Sequence, residues 1–345
     1  MGTGGHVFAL ISPLIHFFFL YIETKQANTA NYSKPTQKAP KLSVLFLLLL
    51  LDKMVTMLEE KTLSAAMNAR IIGSGSEAII LAHGYGGDQS VWDRLLPYLA
   101  QHYRVLVFDW NFSGAVSDLN LFDPDKYSSF DAFADDLIAL VDEQNLRFSV
   151  FVGHSMSGMI GCIASIKRPD LFKRLILVAA SPRFLNAEDY EGGFEISHIE
   201  QMLFNIESNF HEWAQNFAGL VVDGRHPPSV DKFRKSLGAM RPEVALSLAK
   251  TIFLSDVRDV LEKVQTPCTI IQTSNDIVVP VSVAHYMHNK IKGKSTVEII
   301  EGDGHFPQLT AHSSLLDVLG RVMGIDFDEK INLPSPAAEG SPIGT

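Results

Sequence analysis

The chain has 345 residues, 46% hydrophobic and 20% charged, with 29 Lys and Arg against 39 Asp and Glu, a formal net charge of −10. The apolar supply excludes wholesale disorder, and the acidic balance excludes a nucleic-acid or anionic-membrane surface, which needs clustered Lys and Arg. Two cysteines, Cys162 and Cys268, both inside apolar runs, cannot build a disulfide framework or a thiolate metal site and read as small buried hydrophobes.

Two apolar runs come first, residues 7–22 (interrupted by Pro13 and His16) and residues 42–51. A spanning helix needs about 20 apolar residues, so neither run is long enough for a membrane span. The first run lacks a preceding Lys or Arg and a following small-residue cleavage site, which argues against a signal peptide. We read residues 1–57 as an extension ahead of a start at Met54 or Met57; a targeting segment and an unstructured tail or anchor are the alternatives. Residues 325–345, acidic and then rich in Pro, Ala, Gly and Ser, read as a solvated tail.

Between them, short aliphatic runs at 78–82, 104–109, 149–152, 175–179, 268–272 and 297–300 alternate with amphipathic helical stretches. That rhythm predicts an α/β fold, a mostly parallel sheet with helices on both faces, built from residues 58–180 and 255–324. Residues 181–254 carry only helical pattern, widely spaced aromatics and a Pro227-Pro228 turn, which predicts a helical lid inserted between two strands. Ligand sites in such sheets lie at the carboxyl ends of the strands, here under the lid.

The run Gly153-His-Ser-Met-Ser157, with a strand before it and a small-residue helix after it, matches a nucleophile elbow with Ser157 in place of the usual final Gly. A strand that turns into a helix at one residue lifts that residue's hydroxyl into the cleft, and the helix N-terminus offers N–H groups to an oxyanion. Ser155 is the nucleophile of this reading. Its base is His305, in the Gly-rich turn after the strand at 297–300, and its acid is Asp276, at the end of the strand before. Asn275 and Asp303 are rivals for the acid; the first lacks charge and the second reads as a turn former between glycines. His154 is expected to project from the other side of the elbow, His83 to be structural, and Asp109 to serve a loop or helix start. The loop His83-Gly-Tyr-Gly-Gly87 stands where the second oxyanion donor arises, so the donors are the amides of Tyr85 and Met156. No phosphate loop, metal-spaced cluster or dinucleotide fingerprint is present, and the chemistry calls for no cofactor.

The elbow, the lid opening Ser181-Pro-Arg-Phe-Leu-Asn-Ala-Glu-Asp-Tyr-Glu-Gly-Gly-Phe-Glu195, the pair Asn275-Asp276 and the run Asp303-Gly-His-Phe-Pro-Gln308 together resemble the plant strigolactone and karrikin receptor hydrolases. The resemblance covers residues 65–323, and Phe108-Asp-Trp-Asn-Phe-Ser-Gly114 and Met156-Ser-Gly-Met-Ile-Gly-Cys162 look most like its DLK-type, or DWARF-like, branch. It implies an α/β-hydrolase fold with a four-helix lid over an apolar pocket, small butenolide lactones as ligands, and slow hydrolysis. It also implies signalling through a leucine-rich-repeat F-box protein in the cytoplasm and nucleus, or a targeted or membrane-associated location if the N-terminal extension is real. By position, the resemblance assigns the pocket to Tyr85, Phe184, Phe194, Trp213, Phe217 and Phe253. These fall on the lid or at strand ends, where a flat apolar ligand is physically sensible.

Three departures stand out. Tyr85 replaces a usual Phe and brings a hydroxyl to the pocket mouth, residues 217–224 lack the Pro common after Phe-Ala, and residues 233–242 differ from the family's usual run. The last two lie on elements used for closure and docking, so they support catalysis more than signalling through the usual partner. The competing readings are a ligand-gated binding module with incidental hydrolysis and a general carboxylesterase. Dehalogenase or epoxide hydrolase chemistry is disfavoured by Ser rather than Asp at the elbow.

Overall fold

The computed structural model describes residues 62–327. Both N-terminal apolar runs, the reading of residues 1–57, and most of the expected 325–345 tail lie outside the described residues. Of that tail, Ile325 donates its N–H to Gly320 O at 2.9 Å and Phe327 packs edge-on to His102.

Seven strands form one sheet in the order β1-β3-β2-β4-β5-β6-β7. They are β1 (Arg70–Ile72), β2 (Glu77–Ala82), β3 (Tyr103–Val107), β4 (Ser149–His154), β5 (Phe172–Val178), β6 (Cys268–Asn275) and β7 (Ser295–Asp303). All pairings are parallel except β1 with β3. Every residue of β4 and all but the first of β2 are buried, so both faces of the sheet centre are covered. The six predicted strands are present, longer by a few residues at most ends. The antiparallel edge strand β1 was not expected.

Helix α1 (Phe130–Glu143) starts where Ser129 caps it, accepting from Asp131 N, and buries Phe130, Phe133, Leu137 and Leu140 at helical spacing. It packs on α2 (Met156–Lys167), which is buried from Met156 to Ser165. Small residues permit this. A Cβ on Gly158 would lie 2.5 Å from Ala180 Cβ, so only glycine lets α2 pass this close to the end of β5.

The insertion between β5 and β6 contains α3 (Ile196–Val221), α4 (Pro227–Gly238) and α5 (Pro242–Phe253). Asn209 breaks α3 with non-helical angles, and its side chain accepts from Glu212 N and donates to Glu212 Oε2. It therefore caps a second helix, and the insertion carries four helical segments. Pro227 and Pro228 form the first turn of α4 rather than a separate turn, since proline's fixed φ and missing N–H cost nothing there. The lid-opening run folds around Asn186, whose Oδ1 accepts from Gly192 N and Gly193 N, the latter at φ +108°. At the lid base Arg183 pairs with Asp256, so the entry and exit of the insertion are joined. Two more helices are α6 (Val281–Lys290) and α7 (His312–Met323), beside short helical turns at Leu63–Ala66, Leu96–Leu99 and Pro307–Thr310. No described helix is long and apolar enough to cross a membrane.

Candidate active site

Ser155 sits between β4 and α2 at φ +56°, ψ −124°, a conformation that L-residues rarely adopt. Its N–H donates to Val178 O on the neighbouring strand at 2.8 Å, which anchors the turn. Gly153 permits the bend, because a Cβ there would lie 2.6 Å from the backbone of Ser157. Ser157 stands where glycine is usual, and its hydroxyl donates to His83 O at 2.5 Å.

His305 follows Gly304, whose φ of +87° swings the chain back over the sheet after β7. The His305 N–H donates to Val221 O on the lid at 2.7 Å. Its Nδ1 lies 2.7 Å from Asp276 Oδ2, so the carboxylate holds the proton at Nδ1 and leaves Nε2 free to act as a base. The Asp276 side chain is wholly buried and accepts four times: from His305 Nδ1, Gln272 Nε2, Val278 N and Val279 N. That pattern suits an ionised carboxylate, an acceptor only. Gln272 is a participant that the sequence did not reveal; its amide also donates to Val279 O.

The rivals for the acid are placed elsewhere. Asn275 Nδ2 donates to Asp303 Oδ1, and Asp303 pairs with Arg225, which also grips Asp223. Asp109 is buried and accepts from Asn68 Nδ2, Gln89 N and Gln89 Nε2, a loop anchor as expected.

The expectation for His154 is corrected. Its ring lies against His305 and Phe306, with centroids 4.9 and 4.6 Å away, and its Nε2 donates to His305 O at 2.8 Å. Burial, reinforced by the adjacent His305, holds its pKa well below the usual value, so it is a neutral donor.

Ser155, His154 and His305 line one cavity of about 20 Å³ beneath the lid, walled by Tyr85, Phe184, Phe217, Phe233, Phe253 and Phe306 among others. That volume holds roughly one water molecule. Phe233 and Phe306, 4.2 Å apart at their centroids, also line the cavity and were not expected there. Four of the six expected pocket residues, Tyr85, Phe184, Phe217 and Phe253, are in this wall. Phe194 and Trp213 instead line an adjoining groove of about 540 Å³ along α3, which shares Phe217, Val221 and Val278 with the cavity. The Tyr85 hydroxyl does not enter the mouth: it donates to Ala245 O of α5 at 3.0 Å, and burial raises its pKa.

The loop after β2 passes against Ser155, since a Cβ on Gly84 would lie 3.0 Å from Ser155 Cβ. It brings Tyr85 to the Ser155 side of the sheet, while Met156 opens α2. Cys162 and Cys268 are free and buried, and burial raises both thiols, Cys268 to about 12. Among the described residues no group of three or more His, Cys, Asp or Glu is placed to hold a metal ion.

A serine strained at a strand–helix turn, lining one cavity with an imidazole that a carboxylate orients, fits a serine hydrolase built on a mostly parallel sheet. A profile of the Alpha/beta hydrolase family matches residues 79–316, and the chain belongs to that family. It is 44% identical over 258 residues to strigolactone esterase D14 of Arabidopsis thaliana, covering 75% of this chain and 96% of that one. It is also 44% identical to karrikin insensitive 2 receptor IA of Petunia hybrida, covering 77% and 97%. Among solved structures, a hydrolase from Oleispira antarctica superposes with a TM-score of 0.72 at 31% identity, over 76% of this chain and 97% of that one.

Proposed function

We propose that this hydrolase cleaves small butenolide-type lactones and related esters, and that Ser155, His305 and Asp276 carry the reaction. The carrying observation is the placement of Ser155 and the Asp276-held His305 in one aromatic-walled cavity under the lid. The names of the relatives, an esterase and a receptor, support the same reading. Ser155 Oγ attacks the carbonyl carbon as its proton passes to His305 Nε2, and the oxyanion is held by Tyr85 N–H and Met156 N–H. The ester C–O bond breaks, Nε2 returns the proton to the departing oxygen, and an acyl-enzyme remains. Water then attacks the acyl carbon and gives a proton to Nε2, the acyl C–Oγ bond breaks as Nε2 returns that proton to Ser155 Oγ, and the carboxylic acid leaves. Phe194, Trp213 and Phe217 would hold the apolar remainder of the substrate in the groove.

An activated aryl ester tests this. A burst of leaving group is expected from the wild type, and near-complete loss in Ser155→Ala and His305→Ala; comparable turnover by either variant refutes the assignment.

One observation favours a second role as a ligand-gated switch. The cavity at Ser155 is narrow under the lid, and a ligand that binds one lid position better than another would shift the lid toward it. Binding of a butenolide to Ser155→Ala, read as a rise in melting temperature without turnover, tests the switch. Rapid turnover of many simple esters without such a rise favours a general carboxylesterase. A leucine-rich-repeat F-box partner, a cytoplasmic and nuclear location, and the DLK-type branch are proposals that rest on the sequence resemblance alone.

A further inference from the structure

The N–H of Tyr85 belongs to the same peptide unit as the carbonyl of Gly84. That carbonyl accepts twice, from His83 Nδ1 at 2.9 Å and from Gly87 N at 3.2 Å. A carbonyl oxygen only accepts, so the His83 proton is on Nδ1. On the far side of the ring, Nε2 lies 3.0 Å from Trp110 N, an obligate donor, so Nε2 is bare. Main-chain groups on both sides therefore fix one neutral tautomer. Burial lowers the pKa of this ring against an opposing pull from Asp109, which keeps it neutral. The loop is held from a second side too: His83 O accepts from Ser157 Oγ at 2.5 Å and from Trp110 Nε1 at 3.0 Å. His83 is fully buried and does not line the cavity.

We propose that His83 is a positioning residue of the oxyanion hole: its Nδ1–H fixes the plane of the Gly84–Tyr85 peptide and so aims the Tyr85 N–H at the oxygen where charge develops. The proposal rests on the assignment of Ser155 as nucleophile and Tyr85 N–H as donor. A donor already aimed needs no reorganisation during the reaction, and a carbonyl that accepts hydrogen bonds makes its own amide N–H a stronger donor. Both effects favour the oxyanion over the neutral carbonyl, so they act on kcat rather than on KM.

Two variants of the full chain separate this role from packing. In His83→Asn the amide nitrogen falls near Nδ1 and keeps a donor for Gly84 O. In His83→Gln the carboxamide falls near Nε2, where it accepts from Trp110 N and gives up that donor. Both lose the edge contact of the ring with Phe112. Expected for His83→Gln is a fall in kcat of about ten- to a hundredfold, with a matching loss of affinity for an alkyl boronic acid that forms a tetrahedral anion on serine. KM should stay within about twofold, and His83→Asn should recover most of the loss. Equal losses in the two variants that track melting temperature, with boronate affinity unchanged, overturn the proposal. If His83→Gln fails to fold, Ser157→Ala loosens the same loop from its other side; a fall in kcat and boronate affinity is expected, and wild-type values overturn the proposal. Labelling of the wild type by a fluorophosphonate distinguishes the two levels. Failure to label Ser155 overturns the nucleophile assignment and this inference with it, whereas labelling without the Asn–Gln split overturns the role of His83 alone.

Discussion

His154 Nε2 donates to the main-chain oxygen of His305 at 2.8 Å, so the residue preceding Ser155 holds the turn that carries His305. His154→Phe keeps a ring against Phe306 and removes this bond. It should lower kcat by roughly tenfold and stability by about 1 kcal/mol. Because His154 is already neutral, the acid limb of the pH–kcat/KM profile should not move; steady-state kinetics across pH checks both points.

Asp276 is held by Gln272, which lies on the strand leading to it. Gln272→Met removes the donor to Asp276 Oδ2 and leaves Val279 O unpaired in a buried place, a cost of about 1–3 kcal/mol read by denaturant unfolding. Asp276→Asn favours the wrong imidazole tautomer and should cost about 10³–10⁴ in kcat, far more than Gln272→Met. A larger kinetic loss from the glutamine substitution would contradict this order.

Tyr85→Phe deletes the bond from the β2 loop to Ala245 O in α5. The loss should be about 1 kcal/mol. Faster amide exchange over residues 242–253 and relatively faster turnover of bulky esters are expected. Exchange indistinguishable from wild type would show that this bond does not hold the lid.

Acid should loosen the lid base. Asp256 is held at about 2 by Arg258, joined by Arg183, against an opposing effect of burial. Its folded pKa lies below the unfolded value of about 3.9, so its contribution is present above that value and is lost as pH falls from about 4 through 2. The carboxylate is about a third exposed, at 34%, so the effect is modest. In Asp256→Asn the decline of stability between pH 4 and 2 should be shallower, as followed by thermal unfolding.

The positions proposed for catalysis could be picked out of the sequence because each follows a strand with an aliphatic run, and two of them follow glycines that turn the chain: Gly153 before Ser155 and Gly304 before His305. Strand β1 was not, since three residues carry no period and their partner is β3, far along the chain. Gln272 left one trace, a polar residue inside an apolar run, but its partner lies four residues on in a loop whose path the sequence does not give. Phe194 and Trp213 fall in the insertion, but they line the groove along α3 and not the cavity at Ser155, a division that the spacing of aromatics does not encode.

The smallness of the chamber has a kinetic consequence. Where entry of a substrate into this narrow cavity waits on movement of the lid, encounter alone does not complete capture. At rising ligand concentration the observed binding rate should cease to climb and level off at the frequency with which the chain breathes open. Rapid mixing of Ser155→Ala with a butenolide would measure that ceiling directly, and loosening the Tyr85–Ala245 bond should lift it.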